Sequence, residues 1–510
     1  MKKIFIPLLL LGCTFLSNAQ ETTINDALRY SISNLNGTAR YRGMSGAFGS
    51  VGGDLSAINV NPAGSIVFNN NFASFSTNFI NLKNDASYFG NNTSENYSTL
   101  DFNQAGIVFV FKDYSGKSDV TKFAFALNYE NANNFRNDGY AAGINPNNSI
   151  DKFFLDKAQG LPIEYVLLQP GETIDELYTY LGQTPGLGFP AQQAMMAYQA
   201  YLIEADSPNT YYSNVPAGDF YQDNYFTTRG YNGKLTTNFA LSVKDRFHFG
   251  INLNAHFTDF VKTTSVYEAN NNPIFSSGYT ATDILFENEV YTFGSGFSLN
   301  LGAIAKVTNE FRVGLAYESP TWYHLNDELV QRLAVSTTDG TNDYREVIAP
   351  NVVNLYQSYK IQTPSIWTFS GSYIFGKKGL ISIDYMRKDF CNTKFKPTNN
   401  SFYNELNQQM KTELKNAFEL RVGGEFRIKE ISFRGGYRFE ESPYKSNYSI
   451  GDLNGFSAGM GYNFPASRLD LAYSHDQRTT NEAFVTSGMN DAARIQTKSN
   501  NVTLTYSINF

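Results

Sequence analysis

The chain has 510 residues, a formal net charge of −7 and a mean hydropathy of −0.34; 15% of its residues are aromatic and only 17% are charged. No basic block or stripe is present, which argues against a nucleic-acid partner. Beyond the N-terminal segment no apolar run reaches about 18 residues, so the sequence predicts no membrane-spanning helix.

The N-terminus predicts a secretory signal peptide over residues 1–19. Two lysines precede an apolar run, and small residues ending at Ala19 offer a cleavage site. The alternative is a lipoprotein signal in which Cys13 carries the lipid. Either signal takes the chain out of the cytoplasm. Cys391 then has no partner for a disulfide within the chain.

Residues 20–70 predict a plug rather than a strand. The stretch 40–64 is rich in Gly, Ser and Ala, contains many chain breakers and is too long for a simple linker. Small residues let backbone lie close against backbone, as a plug inside a barrel must. Six residues are expected either to gate passage past this plug or only to pack the plug: Arg42, Asp54, Asn61, Pro62, Ala63 and Gly64.

Residues 71–510 predict a transmembrane β-barrel, because apolar and polar residues alternate with period two in many segments. Abundant Phe and Tyr beside Asn, Ser, Thr and Gly suit strands with one apolar and one polar face. The fourteen predicted strands are 72–82, 100–112, 121–131, 228–243, 246–262, 289–307, 310–325, 359–375, 379–390, 417–428, 431–441, 453–464, 467–479 and 497–510.

The connections between these strands alternate between short and long. The turns at 244–245 and 429–430 are tight, whereas 83–99 is long and 132–227 is a long extracellular insertion. Short periplasmic turns and long external loops over an even number of strands are typical of outer-membrane barrels. The predicted fold is therefore all-β: a 14-stranded antiparallel transmembrane barrel with an N-terminal plug inside its lumen.

The external loops are expected to contain helices. Apolar residues recur at helical spacing over 174–181, where Thr173 and Glu176 form a capping box. Further helices are predicted at 191–204 and 402–415. Their apolar faces either pack on the barrel rim or catch a ligand before it enters the barrel. The candidates for ligand capture are Met195, Tyr198 and Leu202.

No combination of residues predicts catalysis or metal binding, so we expect neither an enzyme nor a cofactor. His248 and His256 share one strand face but lie about 26 Å apart at strand rise, too far for a common metal ion. The charges around Lys388, and around Arg438 and Glu440, are expected to mark the barrel rim at the membrane boundary.

The predicted plug resembles that of the FadL-like outer-membrane transporters for long-chain fatty acids and aromatic hydrocarbons. Residues 43–48, Asp54 and the Asn-Pro-Ala-Gly of 61–64 match the family pattern in order and spacing, with Ser45 as a departure. The strand that ends in the Ser-Pro-Thr of 319–321 is a second match. The resemblance implies that ligand enters the lumen and leaves through an opening in the wall after the plug rearranges.

The predicted function is passive, plug-gated transport of hydrophobic small molecules, such as long-chain fatty acids, across the outer membrane of a Gram-negative bacterium. The alternative is an accessory or shuttle barrel of a protein secretion system, which binds proteins through its long loops. The expected partners are the hydrophobic ligand, outer-membrane lipid and lipopolysaccharide, and the barrel-assembly machinery, which would read the C-terminal Phe510.

Overall fold

A computed structural model describes residues 22–32 and 34–510, so the predicted signal peptide lies outside the described residues. Fourteen antiparallel strands close into one barrel, because the first strand pairs with both the second and the last. The barrel strands are β1 (Phe72–Tyr88), β2 (Asn91–Lys112), β3 (Val120–Asn134), β4 (Phe220–Val243), β5 (Phe247–Ala269), β6 (Thr280–Lys306), β7 (Phe311–Glu318), β8 (Ile366–Ile374), β9 (Gly379–Asp389), β10 (Asn416–Ile428), β11 (Ile431–Glu440), β12 (Ile450–Asn463), β13 (Ser467–Ala483) and β14 (Ala492–Asn509). The predicted strand number and closure are confirmed.

The prediction of a long connection at 83–99 is wrong. β1 and β2 instead form one hairpin, joined at Phe89 and Gly90, which both have positive φ, of 43° and 81°. The sequence there is rich in Asn, Ser and Thr, and it lacks the apolar alternation that marks contact with lipid. Backbone pairing needs no such alternation, so the ladder continues beyond the apolar segment.

Several barrel strands are far longer than a bilayer requires. β6 has 27 residues, whereas about 9–11 tilted residues cross the hydrocarbon core. The outer parts of the strands therefore project beyond the apolar belt as a tall wall. Two further strands extend this wall. Trp322–Thr338 follows β7 in the chain, Tyr359–Gln362 precedes β8, and the two strands pair with each other.

The barrel is apolar outside and polar inside. Phe249 and Tyr506 are about half exposed on the outer surface, whereas His248 and Thr505, their neighbours in sequence, are buried. Because successive strand residues point to opposite faces, the polar groups are directed into the lumen. The apolar residues therefore form an outward belt of the kind that a bilayer requires.

The described residues contain six α-helices, and three of them confirm the helices predicted in the loops. They are α1 (Ile24–Arg29), α2 (Ala39–Arg42), α3 (Asp151–Ala158), α4 (Ile174–Gln183), α5 (Gly188–Gln199) and α6 (Ser401–Glu413). Among the described residues, no helix is long and apolar enough to cross a membrane. α3, α4 and α5 form an external cap whose core packs on the outer parts of β5, β6 and Trp322–Thr338.

Candidate functional site

The plug, taken here as residues 34–68, holds its own shape through the buried carboxylate of Asp54. Thr38, the N-cap of α2, donates its Oγ1 hydrogen bond to Asp54 Oδ2 at 2.8 Å, and Ser56 N donates to Oδ1 at 2.9 Å. Burial raises the pKa of Asp54, against the lowering influence of Arg40. Asp54 therefore ties the first helix of the plug to the loop that follows it.

One side of the plug is anchored to charged groups of the wall. Arg40 Nε donates to Glu425 Oε2 of β10 at 2.9 Å, with both side chains nearly or fully buried. Asp384 of β9 accepts from the backbone N–H groups of Phe48 and Gly49, each at 2.9 Å. Charge-assisted bonds are stronger than neutral ones, so this side is the firmer attachment.

The opposite side of the plug is held by neutral amides. Asn238 Nδ2 donates to Pro62 O at 2.9 Å, and Asn252 Nδ2 donates to Ile58 O at 2.7 Å. Asn61 Nδ2 reaches from the plug to Ala303 O on β6 at 3.1 Å. The plug thus spans the lumen between β9–β10, which hold it through charged groups, and β4–β6, which hold it through these amides.

Glycines of the wall allow the plug backbone to lie this close to the strands. At each of them an added Cβ would lie within 3.2 Å of a plug atom; they are Gly250, Gly302, Gly314, Gly423, Gly436 and Gly459. At Gly436 the nearest plug atom, the carbonyl carbon of Met44, would be 2.5 Å away. The glycines form a track on which the plug backbone rests directly against the wall.

A buried ion-pair cluster lines the lumen on β9, β10 and β11. Glu419 Oε1 pairs with Arg421 Nε and Arg438 Nε at 2.7 Å each. Lys388 Nζ lies 2.8 Å from Glu419 Oε2, and Arg438 Nη2 lies 2.6 Å from Glu440 Oε2. The rim position expected for Lys388, Arg438 and Glu440 is therefore wrong. Because side chains alternate between the two faces of a strand, these side chains point into the lumen, where neighbouring strands supply their counterions.

A cavity of about 280 Å³ lies between the plug and the wall formed by β1, β2 and β12–β14; we call it the lumen cavity. Ile80, Leu82 and Leu453 contribute apolar lining. The charged lining residues are one carboxylate, Asp476, and four arginines: Arg42, Arg136, Arg438 and Arg478. Small-molecule sites combine an apolar surface with a few fixed polar groups. The lining therefore suits a molecule with an apolar body and an anionic end.

Arg42 is the plug residue that presents its charge to the lumen cavity. Its Nη2 donates to Ser474 Oγ at 3.0 Å, and its Nη1 lies 2.9 Å from the side-chain amide of Asn78. Unlike Arg40, it forms no ion pair with a carboxylate in the described part of the chain, and its Nε has no hydrogen-bond partner there. Burial lowers the pKa of Arg42 to about 10, so the buried guanidinium stays cationic at neutral pH.

The barrel wall next to the lumen cavity has an interruption in its backbone ladder. β2 and β3 pair from Lys112–Lys122 only as far as Gln104–Glu130. Beyond that point, residues 91–103 pair with β1, and residues 131–145 pair with β4. We call the boundary between 91–103 and 131–145 the wall seam.

Side chains bridge the wall seam where the ladder is missing. Asp101 Oδ2 accepts from Asn131 Nδ2 at 2.6 Å and from Asn134 Nδ2 at 2.9 Å. The guanidinium carbon of Arg136 lies 4.4 Å from the centre of the Tyr97 ring. Side-chain contacts of this kind open at less cost than a continuous backbone ladder. Tyr97, Asn134 and Arg136 also line the lumen cavity.

All six plug residues predicted for gating lie in the lumen, but at different places: Arg42 contacts β13, whereas Asn61 and Pro62 contact β6 and β4. They are Arg42, Asp54, Asn61, Pro62, Ala63 and Gly64, and all of them are buried. Pro62 to Gly64 begin the 3₁₀-helix Pro62–Val67, which Asn61 caps by accepting from Ala63 N. Their gating role stays a prediction.

The three candidates for ligand capture lie in the external cap. Met195 and Leu202 are fully buried in its core, and Tyr198 packs against that core. In this structure they serve to pack the cap on the barrel, and their capture role stays a prediction. Among the described residues, no group of three or more His, Cys, Asp or Glu side chains could hold a metal ion.

Sequence reasoning missed the partners of the plug and the cationic lining of the lumen cavity. One signal was present: Glu419 and Arg421, and likewise Arg438 and Glu440, stand two residues apart with opposite charge on predicted strands. Such spacing places both side chains on one face of a strand. The distant contact between Arg40 and Glu425 has no signal of this kind.

Comparisons with known proteins agree with this architecture. A family model described as outer membrane protein transport protein (OMPP1/FadL/TodX) matches residues 206–510. A FadL homologue from Pseudomonas aeruginosa shares 14% identity with a TM-score of 0.53 and covers 94% of this chain and 100% of its own. The Pseudomonas putida toluene transporter TodX shares 12% identity with a TM-score of 0.51 and covers 94% of this chain and 99% of its own. A search of curated proteins finds no match.

Proposed function

Since this chain belongs to the OMPP1/FadL/TodX family of outer membrane transport proteins, we propose that it carries hydrophobic molecules with an anionic end, such as long-chain fatty acids, by passive, plug-gated diffusion. The chain is an outer-membrane β-barrel, as its family and its closed 14-stranded wall indicate. The observation that carries the proposal is the lumen cavity, which touches both the plug and the wall seam.

The wall seam supplies an exit from the lumen cavity toward the membrane. On the outer face of β2, beside the seam, Leu100 is 71% exposed and Phe102 is 40% exposed. An apolar ligand that passed between the two edges would meet this apolar outer surface rather than water. The ligand would then enter the bilayer sideways, without crossing the polar periplasmic end of the barrel.

Holding the wall seam shut should stop transport without stopping binding. We would replace Tyr97 and Arg136 with cysteine in a Cys391→Ser background and join them with a short, reducible thiol cross-linker. Uptake of a fluorescent long-chain fatty acid into cells should fall to the level of barrel-free cells, and reduction should restore it. Binding to the purified, cross-linked protein should persist, because the lumen cavity remains in place.

The two single-cysteine variants, treated with the same reagent, are the controls for this experiment, and they should transport like the parent. Unchanged uptake after complete cross-linking would exclude the wall seam as the exit. Lack of uptake by the correctly inserted wild-type barrel would refute the transport of fatty acids itself.

Arg42→Gln should weaken the binding of anionic ligands selectively. A charge-assisted hydrogen bond to a carboxylate contributes about 1.5–3 kcal/mol, so the dissociation constant of a long-chain fatty acid should rise about tenfold or more. The methyl ester of the same acid is the matched control, because it keeps the chain but has no charge. Equal effects on acid and ester would mean that Arg42 only supports the plug.

A further inference from the structure

Two pairs of like charges lie on the inner face of the barrel, close to the periplasmic turns. Lys112 at the end of β2 lies opposite Lys122 of β3, and Lys306 at the end of β6 lies opposite Arg312 of β7. Side-chain alternation directs all four cations into the lumen. Their sequence neighbours, each more than a third exposed on the outer apolar surface, are Phe111, Phe123, Val307 and Val313. Like charges at directly opposite strand positions destabilise a sheet, and an anion bound between them would offset the repulsion.

Polar side chains connect these two pairs across the sheet. Lys122 lies opposite Ser242 of β4, and Ser242 lies opposite His248 of β5. His248 is opposite Ile304, two residues before Lys306 on the same face of β6. Ser372 of β8 lies opposite Arg312 and ends the series. We call this series the basic row; its members are Lys112, Lys122, Ser242, His248, Lys306, Arg312 and Ser372.

Several polar atoms of the basic row have no partner in the described part of the chain. His248 is 4% exposed, and its Nδ1 atom is buried without a hydrogen bond. Arg312 Nε and Ser372 Oγ are buried in the same condition. The ammonium groups of Lys112 and Lys306 form no ion pair with any described carboxylate. Because an unsatisfied buried polar atom costs free energy, these atoms indicate a place for a hydrogen-bonding ligand.

The carboxylates of the adjoining turns do not neutralise the basic row. Asp245 is the carboxylate that acts on Lys122 and His248, but its side chain is exposed. Its Oδ1 atom accepts from Thr121 Oγ1 at 2.8 Å. Glu310, in the turn between β6 and β7, accepts from Thr308 Oγ1 of the same turn at 3.0 Å. The row therefore keeps a clear excess of positive charge.

The plug covers the basic row on the side that faces the outside of the cell. Lys122 Nζ donates to Phe68 O of the plug at 3.1 Å, and Arg312 Nη1 donates to Val51 O at 3.3 Å. Lys112 is exposed, and the three other cations of the row are partly exposed. A solute can therefore reach these cations from the periplasm.

We propose that the basic row is a binding site for a soluble oxyanion, a carboxylate or phosphate group, that enters from the periplasm. Ammonium, guanidinium and hydroxyl donors match the several acceptor oxygens of such a group. The row faces the lumen rather than the bilayer, which favours a free solute over a lipid headgroup. The bound anion offsets the repulsion within the two cation pairs and so stabilises the wall beneath the plug. The row shares no residue with the lumen cavity and does not depend on the proposed function.

Inorganic phosphate is the probe that tests this site. In equilibrium dialysis with radiolabelled phosphate, the purified barrel in an uncharged detergent should bind it saturably at an ionic strength fixed with sodium chloride. Lys306→Gln should raise the dissociation constant about tenfold, because one charge-assisted contact is lost. Lys377→Gln is the matched control, since it removes the same charge from the exposed turn between β8 and β9. It should leave binding unchanged.

Thermal unfolding gives a second readout, in which Lys306→Gln and the wild type should differ in opposite ways. Phosphate should raise the unfolding temperature of the wild type above that in chloride of equal ionic strength, but not that of Lys306→Gln. Without phosphate, Lys306→Gln should be at least as stable as the wild type, because repulsion with Arg312 is gone.

Three results would overturn the proposal: no saturable binding of phosphate, equal weakening by Lys306→Gln and Lys377→Gln, or a loss of stability in Lys306→Gln without phosphate. Nanodiscs distinguish the source of the anion. Stabilisation by phosphatidylglycerol, compared with phosphatidylcholine, but not by free phosphate would assign the basic row to lipid headgroups and overturn the soluble ligand.

Discussion

Replacing Gly436 with valine should unseat the plug and turn the barrel into an open pore. A Cβ at this position would lie 2.5 Å from the carbonyl carbon of Met44, which is backbone and cannot rotate away. Overpacking of this kind costs about 1–3 kcal/mol even where neighbours adjust. We expect larger and more frequent conductance steps in planar bilayers, and greater sensitivity of expressing cells to bulky hydrophilic antibiotics.

Gly435→Val provides a matched control one residue away. Gly435 lies on the outward face of β11, where an added Cβ would meet nothing closer than Ser457 O at 3.9 Å. This variant should keep the wild-type conductance, because its side chain enters lipid. Equal conductance for the two variants would show that the plug does not depend on the glycine track.

Removing the charge of Glu425 should have the largest effect on stability. Its fully buried carboxylate accepts from Arg40 Nε at 2.9 Å, from Arg434 Nε at 2.8 Å and from Arg427 Nη2 at 2.5 Å. Glu425→Gln would leave these guanidinium groups without their shared counterion, and breaking such a buried pair costs about 3–5 kcal/mol. The temperature at which the folded barrel changes its mobility on an SDS gel should fall clearly.

Glu430→Gln is the control, because it tests whether the loss of any glutamate in this region lowers the unfolding temperature. Glu430 is exposed in the short turn between β10 and β11, so its removal should leave the unfolding temperature unchanged. If Glu425→Gln unfolds at the wild-type temperature, the charged anchor of the plug has no stabilising role.

The barrel wall could be predicted because the alternation of apolar and polar residues that indicates each membrane strand lies within the strand itself. In β5, for example, Phe247, Phe249 and Ile251 alternate with inward polar residues, and this pattern needs no knowledge of the neighbouring strands. The parts of strands that project from the membrane lose the pattern, since water replaces lipid on their outer face. For this reason the sequence of the outer half of the β1–β2 hairpin predicts a loop.

The candidate site could be predicted only in part. The sequence predicts Arg42 as a functional residue of the plug, but its position at the lumen cavity depends on Arg478 and Ser474 of β13, more than 400 residues away. The sequence predicts these strand charges at the rim because an isolated strand does not show its counterions. Long-range pairing of buried charges appears only when the barrel is closed.

The contacts that anchor the plug also determine the order in which parts of the protein fold. Ala39 bonds to Thr505, Ser45 to Ser457 and Arg40 to Glu425, across separations of 466, 412 and 385 residues. Contacts between such distant parts of a chain form late in folding. The plug therefore cannot reach its final position until the last strands have formed. Many residues of the plug are small and weakly hydrophobic. Before it docks in the barrel, the plug therefore exposes little apolar surface to other chains.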